Sequence, residues 1–233
     1  MPLRSWSDMP KGMRNDEVLY YYRKLLRRKN ELKIKFAMDK ILAAILLVIF
    51  AIPMCIVAVL IKLDSPGPVF FRQKRITSYG RIFRIHKFRT MVSDADKRGS
   101  RVTVKGDSRI TKVGQFIRKY RIDELPQFVN ILKGDMSLVG PRPEMLENVE
   151  DYEKELPEFR YRLRMKAGLT GYAQIYGRYN TSSRDKLMLD LMYIENYSLV
   201  KDIQLLFQTI LVLFKAEDST SAFESGDKAE NKR

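Results

Sequence analysis

The chain has 233 residues, with 43 Lys and Arg against 28 Asp and Glu, which gives a formal net charge of +15. One cysteine, Cys55, excludes a disulfide framework and a multi-cysteine zinc site. One histidine, His86, excludes HExxH metal chemistry and disfavours a Ser-His-Asp triad. The excess charge, most of it in residues 72–121, indicates an anionic partner such as nucleic acid, anionic lipid or a phosphorylated substrate.

Residues 1–35 form a basic N-terminal segment. Residues 15–34 are predicted to be helical, with Tyr20, Leu25 and Leu26 placed among Lys and Arg. This pattern is typical of a helix that lies at a membrane surface, and a solvated helix fits it nearly as well. We therefore expect residues 1–35 to be an interfacial segment.

Residues 41–61, ILAAILLVIFAIPMCIVAVLI, contain no charge and are long enough for one helical membrane crossing. Pro53 interrupts this run, where it removes a backbone hydrogen bond. Both flanks are basic, and basic flanks favour the cytoplasmic side of a membrane. We predict that residues 36–63 form a re-entrant helix-break-helix that breaks at Pro53 and enters and leaves by one face. A single span with a tolerated proline is the alternative.

Residues 64–215 are predicted to form one domain. The runs 69–76 and 81–88 have the pattern of a β-hairpin, and residues 113–120 and 128–132 that of two short helices. Helical runs follow near 185–197 and 203–214. The predicted fold is α+β, mainly helical with a small β-hairpin, and it associates with a membrane through the re-entrant segment and amphipathic interfacial helices. The polar residues 216–233 are predicted to be a disordered tail.

The strongest candidate for chemistry is the pair Asp123 and Glu124 in the run RIDELPQ. Pro126 favours a first helical turn here, and a helix N-terminus stabilises carboxylates. We therefore expect a low pKa and an ionised oxygen suited to a nucleophile or a Mg²⁺ ligand. The alternative is that Asp123 is a simple helix N-cap.

Three cations in two motifs are candidate phosphate ligands. Lys87 and Arg89 alternate with apolar residues in KFRTM at the end of the second strand, although strand ends also carry solvated cations. Arg142 lies between two prolines in GDMSLVGPRP, which restrict its backbone and suit bidentate phosphate binding. A structural turn is the alternative for Arg142.

Two further candidates carry weaker signals. The glycine-rich run GLTGYAQIYGR, 168–178, permits tight turns and close backbone approach and ends in Arg178. It matches neither a dinucleotide-binding fingerprint nor a P-loop. Asp190 lies on a predicted helix, where a single acid is usually solvated.

Together, the apolar N-terminal hairpin and the ordered motifs KFRTM, DELPQ, GDMSLVGPRPE and GLTGYAQIYGR resemble the bacterial sugar transferases. These are the monotopic phosphoglycosyl transferases, and the chain is similar to their short form over residues 36–215. The resemblance implies transfer of a sugar-1-phosphate from a UDP-sugar to polyprenyl (undecaprenyl) phosphate, with release of UMP, as the first step of surface glycan or glycoconjugate synthesis. It also implies a ping-pong mechanism and a catalytic domain over residues 64–215.

The resemblance also assigns roles to residues. Asp123 matches the nucleophile that carries the phosphosugar, and Glu124 matches its partner in Mg²⁺ binding and proton handling, so both are expected metal ligands. Expected contacts to phosphates, nucleotide or substrate are Lys87, Arg89, Arg142, Arg178 and Asp190. The family often breaks its membrane helix at Ser-Pro, whereas this chain has Ile52-Pro53, so the break depends on Pro53 alone.

The expected partners are a UDP-sugar, polyprenyl phosphate, Mg²⁺ and membrane lipids, at the cytoplasmic face of a bacterial inner membrane. A homodimer is left open, and no nucleic-acid partner is expected because no reading element is found. Two alternatives lack catalysis: a membrane-tethered nucleic-acid binder and a basic membrane scaffold.

Overall fold

The computed structural model describes residues 3–95, 98, 106–177 and 182–214. It is mostly helical with two small sheets, which confirms the predicted mainly helical α+β class. The α-helices described are α1 (Asp16–Arg27), α2 (Lys29–Ile49), α3 (Ala51–Asp64), α4 (Lys112–Lys119), α5 (Gln127–Lys133), α6 (Leu146–Glu155), α7 (Tyr172–Tyr176), α8 (Ser183–Glu195) and α9 (Leu199–Phe214). The strands are β1 (Phe70–Ile76), β2 (Ile82–Phe88), β3 (Ser137–Val139) and β4 (Gly168–Thr170). The predicted tail, 216–233, lies outside the described residues.

The chain bends by 61° between α2 and α3, at Phe50. Pro53 lies in the first turn of α3, and a continuous helix would need its missing N–H to bond the Ile49 carbonyl. The Met54 N–H instead bonds the Phe50 carbonyl at 2.8 Å. The predicted helix-break-helix is therefore present, with its bend three residues ahead of Pro53. Within the described residues no single helix is long and apolar enough to cross a membrane, whereas this bent pair meets that test together.

The chain divides into two compact units. The first comprises Met1–Val48, Arg72–Ile85 and Gln127–Thr209, and the second comprises Ile49–Phe71, His86–Pro126 and Ile210–Arg233. In the first unit, the N-terminal residues Met9, Met13 and Val18 pack into a core with residues of the later helices, among them Phe159 and Leu187. The segment Pro157–Arg164, a run of 3-10 turns, supplies much of this core.

A short parallel pair, β3 with β4, joins two of the sequence motifs in the first unit. Ser137 pairs with Gly168 and Val139 with Thr170. A Cβ on Gly168 would lie 2.1 Å from the Gly140 nitrogen, and one on Gly171 would lie 2.2 Å from the Gly140 oxygen. The glycines are therefore required because the two backbones lie too close for a side chain.

The second unit has its own core, in which Val57 and Ile61 of α3 pack with Phe88 and Ile117. A Cβ on Gly114 would lie 2.0 Å from the Thr90 carbonyl oxygen, so α4 lies directly against the residues that follow β2. This packing fixes the helix that leads into residues 121–124.

Buried charges join α2, α9 and β3 within the first unit. Lys35 donates to Asp202 at 2.6 Å and lies 3.8 Å from Asp39. Asp39 accepts from the Ser137 hydroxyl, and Asp202 accepts from the Tyr193 hydroxyl at 2.7 Å. Burial raises the pKa of Asp202, and the nearby charge of Lys35 opposes that shift.

We expect Lys35→Met to lower the free energy of unfolding by about 3–5 kcal/mol, because it leaves two buried carboxylates without their cation. Thermal unfolding in detergent, followed by circular dichroism, measures the loss. Lys33→Met removes an exposed cation two residues away on the same helix and should leave the melting temperature within a degree or two. Equal melting temperatures for the two variants would show that the network does not stabilise the fold.

Candidate active site

Asp123 lies in a tight turn directly after α4. The segment Ile122–Glu124 is one 3-10 turn, and Arg121 before it adopts a left-handed conformation with φ of 56°. A non-glycine residue in this region is strained, and such residues persist where the surrounding structure holds them. Leu125 and Pro126 then precede α5, so the predicted pair lies one turn ahead of that helix rather than in its first turn.

The Asp123 carboxyl group is buried, with 8% of the residue exposed. Burial raises its pKa, the nearby Lys87 lowers it, Glu124 raises it, and Arg118 and Arg121 lower it. The expected low pKa is therefore wrong in direction, because loss of hydration outweighs the surrounding positive charge. Among the described residues, none donates a hydrogen bond to this carboxylate.

Lys87 and Glu124 form an ion pair beside Asp123. The Lys87 ammonium donates to Glu124 Oε1 at 2.8 Å, and both side chains are largely buried. Arg121 is more exposed and its guanidinium lies 3.9 Å from the same oxygen. The structure thus brings together three predicted site residues, Lys87, Asp123 and Glu124.

Arg89 lies in the same unit but its guanidinium has different contacts. Nη1 donates to the Pro66 carbonyl at 2.6 Å, and Nη2 donates to the Ser65 carbonyl at 2.7 Å and the Ile61 carbonyl at 3.3 Å. Arg89 therefore caps the C-terminal end of α3 and holds the following turn. Its predicted contact with phosphate stays a prediction, and these donors are already engaged in the structure.

Arg142 and Asp190 belong to the first unit. Asp190 is buried and accepts from Arg162, with the guanidinium Nη2 at 2.7 Å from Oδ2. The same Nη2 donates to the Arg142 carbonyl at 2.7 Å, and Arg75 donates to the Pro143 carbonyl at 3.1 Å. The loop is thus held at the carbonyls of Arg142 and of the proline that follows it. Burial raises the pKa of Asp190, and Arg162 opposes that shift.

Sequence reasoning missed Arg162, which holds both Asp190 and the Arg142 loop. Its only signal is an alternation of basic and apolar residues in RYRLRMK, and that pattern also fits a solvated surface. Arg178 lies outside the described residues, so its predicted role stays a prediction.

The acidic pair suits a magnesium ion that is shared with a substrate. Among the described residues there is no cluster of three or more His, Cys, Asp or Glu side chains that would hold a metal alone. Mg²⁺ in phosphoryl-transfer sites is usually held by one or two carboxylates together with substrate phosphates. Asp123 and Glu124 supply that number of carboxylates on adjacent residues, so the donor set fits.

Comparison with known proteins shows the family to which the chain belongs. Residues 30–216 match the family model described as bacterial sugar transferase. The chain belongs to this family. The match includes all the predicted site residues, and it begins after α1.

Relatives of the chain are named for the reactions they catalyse. A UDP-N-acetylgalactosamine-undecaprenyl-phosphate N-acetylgalactosaminephosphotransferase of Aeromonas hydrophila is 46% identical over 180 residues, 76% of this chain and 43% of the relative. A UDP-glucose:undecaprenyl-phosphate glucose-1-phosphate transferase of Escherichia coli strain K12 is 41% identical, over 76% of this chain and 39% of the relative. One of the same name from Caulobacter vibrioides is 39% identical, over 79% of this chain and 71% of the relative. The matched region is thus about two fifths of the first two relatives.

Because the pKa of Asp123 is raised, the stability of the folded protein should depend on pH. The folded protein holds the Asp123 proton more tightly than the unfolded chain, so stability falls as the pH rises through the raised pKa. At neutral pH, Asp123→Asn should therefore be at least as stable as the wild type, and each ~1 kcal/mol gained raises the melting temperature by roughly 2–4 °C. The difference should vanish below about pH 4, the ordinary Asp range.

Thermal unfolding across that pH range is the measurement, and Glu124→Gln is the control. Glu124→Gln breaks the ion pair with Lys87 and should lower the melting temperature at neutral pH. A clear loss of stability in Asp123→Asn at neutral pH would contradict the assigned electrostatics.

Proposed function

We propose that the chain is a phosphoglycosyl transferase that moves a sugar-1-phosphate from a UDP-sugar to polyprenyl phosphate, releases UMP and so initiates glycan synthesis. The observation that carries the proposal is a buried carboxylate, Asp123, beside the Lys87–Glu124 ion pair. The names of the relatives, which specify UDP-sugars and undecaprenyl phosphate, support the choice of donor and acceptor. A scaffold protein without catalysis would not require a partly desolvated carboxylate at this position.

In the first half-reaction, an Asp123 carboxylate oxygen attacks the phosphorus that bears the sugar. A bond forms between Asp123 and that phosphorus, and the bond from the phosphorus to the bridging oxygen breaks, so UMP leaves with the bonding electrons. Partial desolvation favours this attack because a less hydrated carboxylate loses less water on approach to phosphorus. The product is a phosphosugar-enzyme anhydride on Asp123.

In the second half-reaction, a terminal oxygen of polyprenyl phosphate attacks the same phosphorus. The bond from phosphorus to Asp123 breaks, the Asp123 carboxylate is regenerated, and the product is a polyprenyl-diphosphate-linked sugar. Splitting the displacement in two keeps donor and acceptor phosphates from occupying the site at the same time. This matters because each carries negative charge that the other would repel.

Positive groups around Asp123 offset the charge that gathers there. Lys87 lies against Glu124, and Arg118 and Arg121 also lower the pKa of Asp123, so their fields reach the reacting carboxylate. Mg²⁺ held by Asp123 and Glu124 would supply further charge neutralisation at the phosphates. We assign Lys87 to keeping Asp123 ionised and to binding phosphate, and Glu124 to orienting Lys87.

Arg142 is the proposed phosphate or nucleotide ligand of the first unit. Its main chain is fixed by Arg162, which in turn is held by the buried Asp190. Asp190 is therefore proposed as a positioning residue that acts through Arg162, in place of direct contact with substrate.

The acceptor is a lipid, so we propose that the protein lies at the cytoplasmic face of the bacterial inner membrane. The bent helices α2 and α3 expose large apolar side chains, with Val48 at 78%, Ile52 at 75% and Leu63 at 80%. On α9, Ile203 and Phe207 are also exposed. Exposed apolar side chains in such number are typical of contact with lipid or with a protein partner. We assign them to lipid, because the adjoining segments are basic.

The covalent intermediate gives the sharpest test. The full chain in detergent with Mg²⁺ is incubated with UDP-N-acetylgalactosamine or UDP-glucose, without acceptor, and analysed by intact mass spectrometry and by UMP release. We expect a mass gain of one phosphosugar with its matching donor, and stoichiometric UMP. Asp123→Asn should give neither, because the amide is a far weaker nucleophile.

Asp190→Asn is the comparison variant, since it alters a carboxylate that does not touch the reacting atoms in this proposal. It should still form the adduct, more slowly or at higher donor concentration. Transfer of sugar phosphate to polyprenyl phosphate by Asp123→Asn at the wild-type rate would contradict the proposal. Absence of any transfer or UMP release by the wild type would favour a scaffold without catalysis.

Replacement of Lys87 should also change the pH dependence of UMP release. Lys87 lowers the pKa of Asp123, so Lys87→Met should raise that pKa further and move the acid limb of UMP release to higher pH. Lys119→Met, which removes an exposed cation of α4, is the matched control and should keep the wild-type limb. An unshifted limb in Lys87→Met would show that Lys87 does not act on the ionisation of Asp123.

A further inference from the structure

Arg164, outside the site described above, is a buried cation with unused hydrogen-bond donors. It is 1% exposed, and its Nη1 lies 2.7 Å from Sδ of Met9, a weak acceptor. Within the described residues, its Nε and Nη2 are buried and have no hydrogen-bond partner. The guanidinium lies over the rings of Trp6, Tyr22 and Tyr79, at 6.0, 5.0 and 5.8 Å from their centroids.

The aromatic rings offset only part of this charge. Ring faces attract a cation, but they do not accept the N–H groups at the edge of the guanidinium as carboxylate or phosphate oxygens do. Burial lowers the pKa of Arg164 to about 10, so it stays protonated at neutral pH. A buried charge without a hydrogen-bonded counter-ion is costly, and such groups are normally paired.

A second buried cation, Lys166, lines the same cavity. Lys166 is 5% exposed, and its ammonium lies 4.1 Å from the centroid of the Phe36 ring. The cavity that Arg164 and Lys166 share has a volume of about 20 Å³, with Leu32, Phe36 and Tyr79 in its wall. The described residues that line it include no carboxylate. Burial lowers the pKa of Lys166, and the charge of Asp39 opposes that shift.

Asp39 offsets part of the Lys166 charge but does not line the cavity. Its carboxylate accepts from the Ser137 hydroxyl and lies 3.8 Å from the Lys35 ammonium. It is therefore committed to the buried network of α2 and α9. Among the residues that the structure describes, the wall of this small cavity thus holds two buried positive charges and no acid.

The volume of the cavity limits the size of the group that can enter it. A volume of this order holds about one water-sized group. A water would occupy the donors of Arg164 but would bring no negative charge to the two cations. We propose that Arg164 and Lys166 form an oxyanion site that takes one oxygen of a phosphate group inserted into the cavity.

The position of the cavity on α2 fits a phosphate at a membrane surface. Phe36 lies five residues ahead of the uncharged run that begins at Ile41, about 7.5 Å along a helix that rises ~1.5 Å per residue. The headgroup layer on each side of a bilayer has a thickness of this order. The phosphate of a phospholipid headgroup and free inorganic phosphate share the required chemistry, and the experiment separates them.

Part of the surroundings of Arg164 lies outside the region that the family model matches. Trp6 and Met9, which enclose Arg164, precede residue 30, where the family match begins. The proposal makes no use of the reaction at Asp123, so its test does not depend on activity.

The test is phosphate binding to the full chain in detergent. Inorganic phosphate is titrated at constant ionic strength and thermal unfolding is followed for the wild type, Lys166→Met and Lys154→Gln. Lys154 is an exposed cation paired with Asp151 and does not line the cavity. We expect phosphate to raise the melting temperature of the wild type and of Lys154→Gln in a saturable way. Lys166→Met should need about tenfold more phosphate, because it loses one charge-assisted hydrogen bond.

Two further variants keep the result interpretable. Lys87→Met should retain the phosphate response, which excludes binding at the Asp123 site as its source. Arg164→Lys keeps the charge but loses the guanidinium donors, and it should weaken the response if Arg164→Met does not fold. Equal phosphate dependence in the wild type and Lys166→Met, or no response in either, would overturn the proposal.

A second arm identifies the source of the phosphate. In phospholipid nanodiscs, a headgroup in the cavity would remove the wild-type response to inorganic phosphate, whereas a free-phosphate site would keep it. Either result supports the oxyanion site when the detergent arm shows its dependence on Lys166.

Discussion

The structure depends on how the negative charge of each buried carboxylate is balanced by a nearby cation. Asp190 and Asp202 each accept a direct hydrogen bond from a buried cation, Arg162 at 2.7 Å and Lys35 at 2.6 Å. Such pairs fix neighbouring segments. Asp123 differs, because the nearby Lys87 is hydrogen-bonded to Glu124 and not to Asp123 itself. Asp123 thus stays close to positive charge and retains lone pairs for a substrate.

Asp123 and Asp190 look alike in the sequence, where both are predicted site residues, but their contacts in the structure differ. Asp190 was predicted to bind substrate, and its full burial against Arg162 is better suited to holding the Arg142 loop. Arg89 likewise caps α3 through main-chain carbonyls. Asp190 thus acts on the loop that carries Arg142, whereas Arg89 acts on the turn that follows α3.

Local patterns in the sequence predicted much of the fold. The strands β1 and β2 and the helices α4 and α5 follow from alternation and helical spacing, which act within a few residues. Proline chemistry predicted a break at Pro53, and the structure has the bend at Phe50. The parallel pair of β3 and β4 was not predicted, because three-residue strands show no pattern and their partners are distant in the chain. The direction of the Asp123 pKa shift was also missed, since burial depends on the tertiary fold. The buried Lys35 network was missed for the same reason.

The central claim is that Asp123 forms a covalent intermediate before the acceptor binds. Isotope exchange tests it most directly: labelled UMP and the matching UDP-sugar are incubated with the protein and Mg²⁺, without polyprenyl phosphate. The account predicts that label enters the UDP-sugar at a rate comparable to turnover, and that Asp123→Asn shows no exchange. Efficient sugar-phosphate transfer when acceptor is present, with no exchange when it is absent, would contradict the account.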